Sequence, residues 1–348
     1  MRDAPNPGRE LPWKHAALKL LIQGENLAVL KNLVPFLMGR VNLIYIDPPF
    51  ATGRVFTGKH GAGFEDTRTG QAYLEFLKQR LVILHQLLAV DGSLYVHLCP
   101  RYAAYVRIVL DKIFGWNPHH RQIVWKRAGA HPNAKGYARV HDVILFYPKG
   151  KNFYFRHPQR QYSESSGTDA YRYREPDGRR FATADVSGES LKTAGDPAYR
   201  YTWNGHHRIW RCRKETMARW HGENLLYHTR NGLPRKKRYL DEAQGIPLTD
   251  LWDDIPALHA RSKERTGYPT QKPRMLLERI IRASSREGDL VLDAFCGSGT
   301  TLAVADEWNR RWIGIDQSAA AIRTARERIL GKTGQSDHGA TLRRSTVG

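Results

Sequence analysis

Short apolar runs alternate with amphipathic helical stretches through most of this chain, and that alternation leaves few folds open. VNLIYID (41–47) is brief, apolar and bounded by Pro48-Pro49, as expected of a strand covered on both faces. Over residues 72–90, Leu74, Leu77, Leu81, Leu84 and Leu88 recur three or four positions apart, which predicts an amphipathic helix ended by Asp91-Gly92. SLYVHL (93–98) predicts the next strand, a helix follows over about 101–113, and QIVW (122–125) and HDVILFY (141–147) predict two more strands. Strands alternating with helices make βαβ units, hence a doubly wound α/β sheet.

That rhythm breaks between about 150 and 245. The segment is rich in Arg, Tyr, Trp, His and Gly and contains RCRK (211–214) and PRKKR (234–238), so it reads as an inserted, loop-rich subdomain. Afterwards βαβ order resumes, with a helix over about 273–285, strand DLVLDAF (289–295), a helix from about 299 to 308, strand RWIGID (311–316) and a helix over 318–330. The expected organisation is an N-terminal tail (1–15), one half of the sheet (16–150), the insert (151–245), the other half (246–332) and a polar, mobile tail (333–348). A length of 348 residues suits one large domain or two modest ones.

Two loops follow apolar strands directly, and ligands of open α/β sheets bind beyond the carboxyl ends of the strands. In Asp293-Ala294-Phe295-Cys296-Gly297-Ser298-Gly299-Thr300 a strand runs into a glycine turn that opens a helix. Glycines let the backbone approach a ligand, and a helix N-terminus offers free N–H groups. Leu302 stands where a dinucleotide fingerprint would have its third glycine. Asp316 ends the next strand, near the spacing of an acid that holds ribose hydroxyls. Together these predict a nucleoside-cofactor site, with a plain tight turn as the alternative. The second loop is Asp47-Pro48-Pro49-Phe50. Its prolines fix φ and donate no hydrogen bonds, so the turn is rigid and rich in carbonyl acceptors. A carboxylate, a free carbonyl and an aromatic face suit a flat, amino-bearing heterocycle. The alternative is a proline turn with an N-capping Asp.

Asp-Pro-Pro-Phe together with Phe-x-Gly-Ser-Gly-Thr resembles the S-adenosylmethionine-dependent amino-group DNA methyltransferases, in the β order of catalytic motif, target-recognition region and cofactor motif. LKLLIQGENLAVLKNL (18–33), residues 73–98 and 141–149, DLWDDI (250–255) and YPTQKP (268–273) extend the resemblance over most of the chain outside 150–245. It implies a mostly parallel, seven-stranded-type sheet in permuted order, starting at the family's third strand and receiving the first two last. It further implies that Asp47 and the Pro48 carbonyl accept both hydrogens of a target amine beside Pro49, and that Phe50 stacks on a flipped base. Phe295, Gly297, Ser298, Gly299 and Thr300 would surround the methionine part of the cofactor, beside Asp47 and Asp293. Asp316 would bind the ribose, Glu25-Asn26 would lie near the adenine, and Lys272 would pair with the carboxylate. The motif resembles the adenine-N6 version; the cytosine-N4 version usually has Ser at the position of Asp47.

Net charge supports a polyanionic partner. Lys and Arg number 55 against 34 Asp and Glu, a formal charge of +21. With the insert's Tyr199, Tyr201, Trp203, Trp210, Trp220 and Tyr227, its cations Arg211, Arg213, Lys214, Arg235, Lys236, Lys237 and Arg238 predict a phosphate-and-base surface, with a plain solvated face as the alternative, and the resemblance implies double-stranded DNA as its partner. Gly53–Lys59 matches the start of a P-loop, but His60 replaces the Ser or Thr that binds Mg²⁺. The histidines lack zinc spacing, and no metal is expected. No 18-residue apolar run or apolar leader is present, and three separated cysteines fit a reducing compartment, so the expectation is a cytoplasmic protein without a membrane partner, and the resemblance implies a prokaryotic cell. Neither a homodimer nor an accompanying restriction endonuclease is legible in the sequence.

Overall fold

Each central strand is apolar on both sides, so the sheet must be covered twice. The structure is a computed structural model describing residues 18–57, 63–129, 136–160, 169–189, 193, 195–243, 245–259 and 261–331. The two expected tails and Gly58–His60 of the P-loop-like segment lie outside the described residues. The chain divides into two units, one formed by residues up to Pro158 and from Leu248 onward, the other by Gln159–Pro247.

In the first unit, β1 (Lys19–Gln23) leads to α1 (Asn26–Leu37) and β2 (Val41–Ile46). A hairpin of β3 (Arg54–Thr57) and β4 (Gly63–Asp66) follows, then α2 (Gly70–Leu87), β5 (Leu88–Leu98), α3 (Pro100–Phe114), β6 (Arg121–Lys126) and β7 (His141–Pro148). The second unit holds β8 (Gln159–Arg160), β9 (Tyr173–Arg174), β10 (Arg180–Asp185), β11 (Arg200–Trp203), β12 (His206–Ile209), α4 (Lys214–Gly222), β13 (Leu226–His228), β14 (Pro234–Tyr239) and β15 (Ile246–Pro247). The chain then returns with β16 (Leu251–Trp252), α5 (Arg274–Ser284), β17 (Leu290–Asp293), α6 (Thr300–Glu307), β18 (Arg311–Asp316) and α7 (Ala319–Leu330).

The main sheet has the order β1-β18-β17-β2-β5-β7-β6-β16. The two strands that arrive last in the chain slot between β1 and β2, which is the expected permutation. All pairs are parallel except those of β7 with β5 and β6. β16 adds an eighth, two-residue strand to the seven expected.

One face is covered by α1, α2 and α3, whose Leu30, Leu33, Leu77, Leu81, Val106 and Leu110 pack on Ile44, Ile46 and Leu292. The other is covered by α5, α6 and α7, through Leu277, Ile280, Leu302 and Ala325 on Leu43, Tyr45 and Val291. Successive residues of β2 and β17 thus serve opposite cores, as strand geometry requires.

One expected boundary moves. The leucine run predicts a helix to residue 90, but α2 stops at Leu87, and β5 runs from Leu88 straight through Asp91-Gly92. Leu88 pairs with Val41 and Ser93 with Leu43, so the register shift between them absorbs the polar pair as an irregularity within the strand.

The unit Gln159–Pro247 is more regular than its composition suggests. β13, β14, β10 and β9 form an antiparallel sheet, and Val186, Trp210, Cys212, Met217 and Leu226 make a small core. Residues 151–158 belong with the large sheet instead. Phe153 and Phe155 each lie 5.7 Å from the Phe146 ring, and the Arg156 N–H donates to the Ala283 carbonyl at 2.7 Å.

Ile280 is fully buried between α5 and the sheet. Ile280→Ala is therefore expected to cost about 2–5 kcal/mol in urea denaturation, and Ile280→Val about 0.5–1.5.

Candidate active site at the strand ends

Four parallel strands deliver their carboxyl ends to one cleft. β2 leads into Asp47-Pro48-Pro49-Phe50, β17 into Asp293 and the glycine turn, β18 into Asp316, and β1 into Glu25 and Asn26. These residues line a common cleft with Tyr45, Asp66, Phe76, Arg80, Tyr268 and Lys272. It comprises about 1250 Å³ with its open mouth included. Apart from Gly299, the residues expected from both loops thus line it together, and Glu25, Asn26 and Lys272 join them.

The glycine turn is braced from below. Asp293 accepts the Phe295 N–H at 3.0 Å and the Thr301 hydroxyl at 2.6 Å. Asp316 accepts the N–H groups of Gly297 and Ser318, both at 2.9 Å. Gly299 has a left-handed φ of +73°, and a Cβ there would fall 2.7 Å from the Cβ of Ala325. Only glycine lets α6 start this close to α7. At the side, the Asn26 amide donates to the Ala294 carbonyl at 2.9 Å, and its oxygen accepts from Arg80 Nε at 2.6 Å. Arg80 also pairs with Glu25, whose other carboxylate oxygen caps α1 at the Ala28 N–H, 3.0 Å away. The Arg80 guanidinium lies 3.6 Å above the Phe76 ring, which meets Phe295 at 6.1 Å.

The Asp47 turn meets a cation from the far end of the chain. The Lys272 ammonium pairs with Asp47 Oδ2, lies 5.0 Å from the Phe50 ring centre and donates to the Thr270 carbonyl at 3.3 Å. Lys272 is thus placed against Asp47 itself. Behind the turn runs a polar relay that no sequence motif announces. The Tyr45 hydroxyl and His97 Nδ1 are 2.9 Å apart, His97 Nε2 and Asp142 Oδ2 are 3.3 Å apart, and Arg127 Nε donates to Asp142 Oδ1 at 2.8 Å.

Burial raises the Asp142 pKa, but its hydrogen bond with His97 and the Arg127 and Lys272 charges outweigh that and lower it. With Asp142 as an acceptor, the proton of neutral His97 is assigned to Nε2, and Nδ1 accepts from Tyr45. Burial lowers the His97 pKa, helped by the Lys272 charge and opposed by Asp142 and Asp47. The ring is 0% exposed and lies 5.7 Å from Phe50. A histidine inside the apolar run SLYVHL and an aspartate inside HDVILFY were the available signals.

In the second unit the insert's cations divide. Arg211, Arg213, Lys214 and Arg238 are exposed, whereas Arg235 and Lys236 are half-buried. Arg235 donates to the Thr183 hydroxyl at 3.0 Å, and the Lys236 ammonium lies 4.2 Å from the Trp220 ring centre. The expectation for Lys237 is corrected. It is 7% exposed, and its ammonium donates to Glu175 at 2.7 Å and to Asn224 at 3.3 Å, so it faces the interior. The aromatic residues also change role. Trp210 is fully buried, and Tyr201, Trp203 and Trp220 pack against the same core. They supply the apolar mass that folds the unit.

Among the described residues, no group of three or more His, Cys, Asp or Glu is arranged to hold a metal ion, and no helix is long and apolar enough to cross a membrane.

Burial pushes the Asp293 carboxyl from its ordinary 3.8 up to about 7, aided by Asp47 and Asp316 and opposed by the Thr301 and Phe295 hydrogen bonds. An acid raised in this way stabilises the fold fully below its unfolded pKa and loses that contribution as pH rises through the folded one. The chain should therefore lose stability between about pH 4 and pH 7 relative to Asp293→Asn, whose profile should be flatter over that window. Denaturant titrations across the pH series check this; identical slopes would show that Asp293 titrates like an exposed acid.

Residues 41–327 match the family model of the DNA methylases that act on amino groups at N6 and N4. The chain is 32% identical over 305 residues to the Type II methyltransferase M.EcaI of Enterobacter cloacae, covering 86% of this chain and 67% of that one. It is 27% identical over 312 residues to the DNA adenine methyltransferase YhdJ of Escherichia coli K12, covering 89% and 82%. The chain spans about half the length of two type III Mod subunits that it matches, those of StyLTI and HindVI. In fold it is similar to the PvuII DNA methyltransferase (cytosine-N4-specific), with a TM-score of 0.53, 14% identity and coverage of 92% and 89%. The sheet order, the two motif loops meeting in one cleft and the match over most of its length agree: this chain belongs to the N6/N4 DNA methylase family.

Proposed function

We propose that this chain transfers the methyl group of S-adenosylmethionine to the N6 amine of an adenine flipped out of double-stranded DNA. The observation that carries the proposal is the shared cleft, in which the Asp47-Pro48-Pro49-Phe50 turn faces the glycine turn of Phe295–Thr300. The donor set fits this cofactor. Asp47, Asp316 and Glu25 supply carboxylates, Phe76 and Phe295 supply aromatic faces, and all line the same space, where a sulfonium cation and ribose hydroxyls find partners.

When bound, S-adenosylmethionine supplies an electrophilic methyl group on a positively charged sulfur. The Gly297, Ser298, Gly299 and Thr300 turn, with Asp293 bracing it, would hold the amino-acid part, Asp316 the ribose, and Glu25 and Asn26 the adenine side. Lys272, whose ammonium pairs with Asp47, would meet the cofactor carboxylate.

An exocyclic amine shares its lone pair with the ring and is a weak nucleophile. The Asp47 carboxylate and the Pro48 carbonyl would accept its two hydrogens, which favours a pyramidal nitrogen with a free lone pair, and one of those hydrogens leaves as a proton when the amine is methylated. The adjacent Pro49 holds the turn rigid, and Phe50 retains the base by stacking. Positioning and fixed electrostatics then dominate the rate. Aspartate at position 47 favours adenine over cytosine N4, and hydrolysing the methylated DNA and separating its bases distinguishes the two. Expression in a bacterial cytoplasm, dimerisation and pairing with a restriction endonuclease are compatible with this function, as is DNA contact by Arg211, Arg213, Lys214 and Arg238, with Arg235 and Lys236 at the edge.

Asp47→Ala should abolish transfer while the protein still folds and binds DNA, and Asp47→Asn should lose about 10²–10³ in rate. Single-turnover transfer of labelled methyl beside a DNA titration checks both; wild-type turnover by folded Asp47→Ala would remove Asp47 from the chemistry. Replacing Arg211, Arg213, Lys214 and Arg238 with Gln should flatten the dependence of log affinity on log salt by about 0.9 for each phosphate no longer neutralised. An unchanged slope would return these side chains to an ordinary solvated surface.

A further inference from the structure

Asp66 takes no part in the chemistry above, yet its carboxylate is deeply enclosed at 2% exposure. It ends β4 and collects hydrogen bonds from the residues that follow Phe50. The Ala51 N–H donates to Oδ1 at 2.6 Å, while the Thr52 N–H and hydroxyl donate to Oδ2 at 2.9 and 2.6 Å. The backbone carbonyl of Asp66 accepts the Gly53 N–H at 2.8 Å. Three consecutive N–H groups after the stacking residue therefore end on one aspartate.

The turn needs that restraint. Ala51 is fully buried and left-handed, with φ of +55°, a state that an L side chain adopts only at a cost. A chain reversal immediately after Phe50 sets the direction of the Phe50 Cα–Cβ bond, so whatever stabilises Ala51 also aims the ring. The Cys99 thiol donates to the Phe50 carbonyl at 3.4 Å, and His97 meets the ring at 5.7 Å. The first holds the Phe50 backbone and the second meets its ring, whereas Asp66 acts on the reversal itself.

We infer that Asp66 is a positioning residue for Phe50, holding the left-handed turn that presents the ring to the target base. The inference rests on the reading of Phe50 as the stacking platform. Its alternative is a brace for the β3–β4 hairpin with no bearing on the ring, and the two differ in how Asp66 and Phe50 combine.

The test is single-turnover methyl transfer by the full chain, using radiolabelled S-adenosylmethionine and a duplex carrying the motif that the wild type methylates. Wild type, Asp66→Ala, Phe50→Ala and the double variant are compared, with calorimetry for cofactor affinity. Asp66→Ala should slow transfer by about 10–100-fold, because small displacements of a positioning group cost that much. Cofactor affinity should stay within about twofold, and the double variant should be no more than about twofold slower than Phe50→Ala alone.

Losses that multiply, or a wild-type rate in Asp66→Ala, would overturn the inference. If Asp66→Ala does not fold, Asp66→Asn takes its place. It keeps an acceptor for the Ala51 N–H but can set an amide donor against Thr52, so a smaller loss with the same non-additivity is expected, and multiplying losses would again overturn the proposal. Transfer by Asp47→Ala at the wild-type rate would instead overturn the reading of the turn itself, whatever Asp66 does.

Discussion

The parallel pairing of β17 with β2 is the contact on which the site depends. Val291 lies opposite Leu43 and Leu292 opposite Ile44, although these pairs are separated by some 248 residues of chain. Two hydrophobic cores converge on the pairing, since adjacent residues of each strand point to opposite faces. Because the strands run in the same direction, their carboxyl ends emerge side by side. The acidic turn after β2 and the glycine turn after β17 are then neighbours without further adjustment. The connections on either side can be long or permuted without disturbing this, provided that β17 and β18 still enter between β1 and β2. Loop closure over longer segments costs only slowly more entropy, which is how a unit of the size of Gln159–Pro247 can be accommodated between sheet halves.

Convergence of four strand ends also concentrates carboxylates. Asp47, Asp293 and Asp316 share one cleft, and Asp47 and Asp316 help to push the Asp293 carboxyl upward. The structure manages this charge in three ways. Asp293 is engaged by the Phe295 N–H and the Thr301 hydroxyl, Asp316 by the backbone N–H groups of Gly297 and Ser318, and Asp47 by the Lys272 ammonium. Buried charges are tolerated when each has such partners. The consequence is a cleft that retains acceptor character while its backbone is locked, a combination suited to a cationic ligand and a hydrogen-donating amine.

Much of this was legible in the sequence because it is local. VNLIYID ending at two prolines and DLVLDAF entering a glycine turn mark their strands by composition alone, and Asp316 follows at a readable spacing. What was not legible was partnership across the chain. Lys272 and Asp47 are 225 positions apart, and Tyr45, His97 and Asp142 meet only because β5 lies between β2 and β7. The insert misled for a different reason. Aromatic residues among cations look the same whether they face solvent or pack together. In a unit with few aliphatic residues Trp210 has to serve as core, and Lys237 is drawn inward with its own carboxylate. Leu88 and Ala89 misplaced the end of α2 because a buried strand and an apolar helix face share the same composition.

The turn after β2 carries two requirements that pull against each other. It must be stiff enough to hold a carboxylate, a carbonyl and a ring in fixed relation, and it must leave their outward faces unencumbered. Two prolines achieve the first for Asp47 and Pro48 without adding donors that would consume the carbonyls. They cannot stiffen the chain beyond Phe50, where a left-handed residue is needed to reverse direction. A glycine at position 51 would adopt that state freely but would leave the ring less constrained. With alanine there, the conformation has to be supplied from outside, and Asp66 supplies it from the end of β4. The acceptors that restrain the backbone therefore come from the end of β4, and those offered to an amine come from the turn itself.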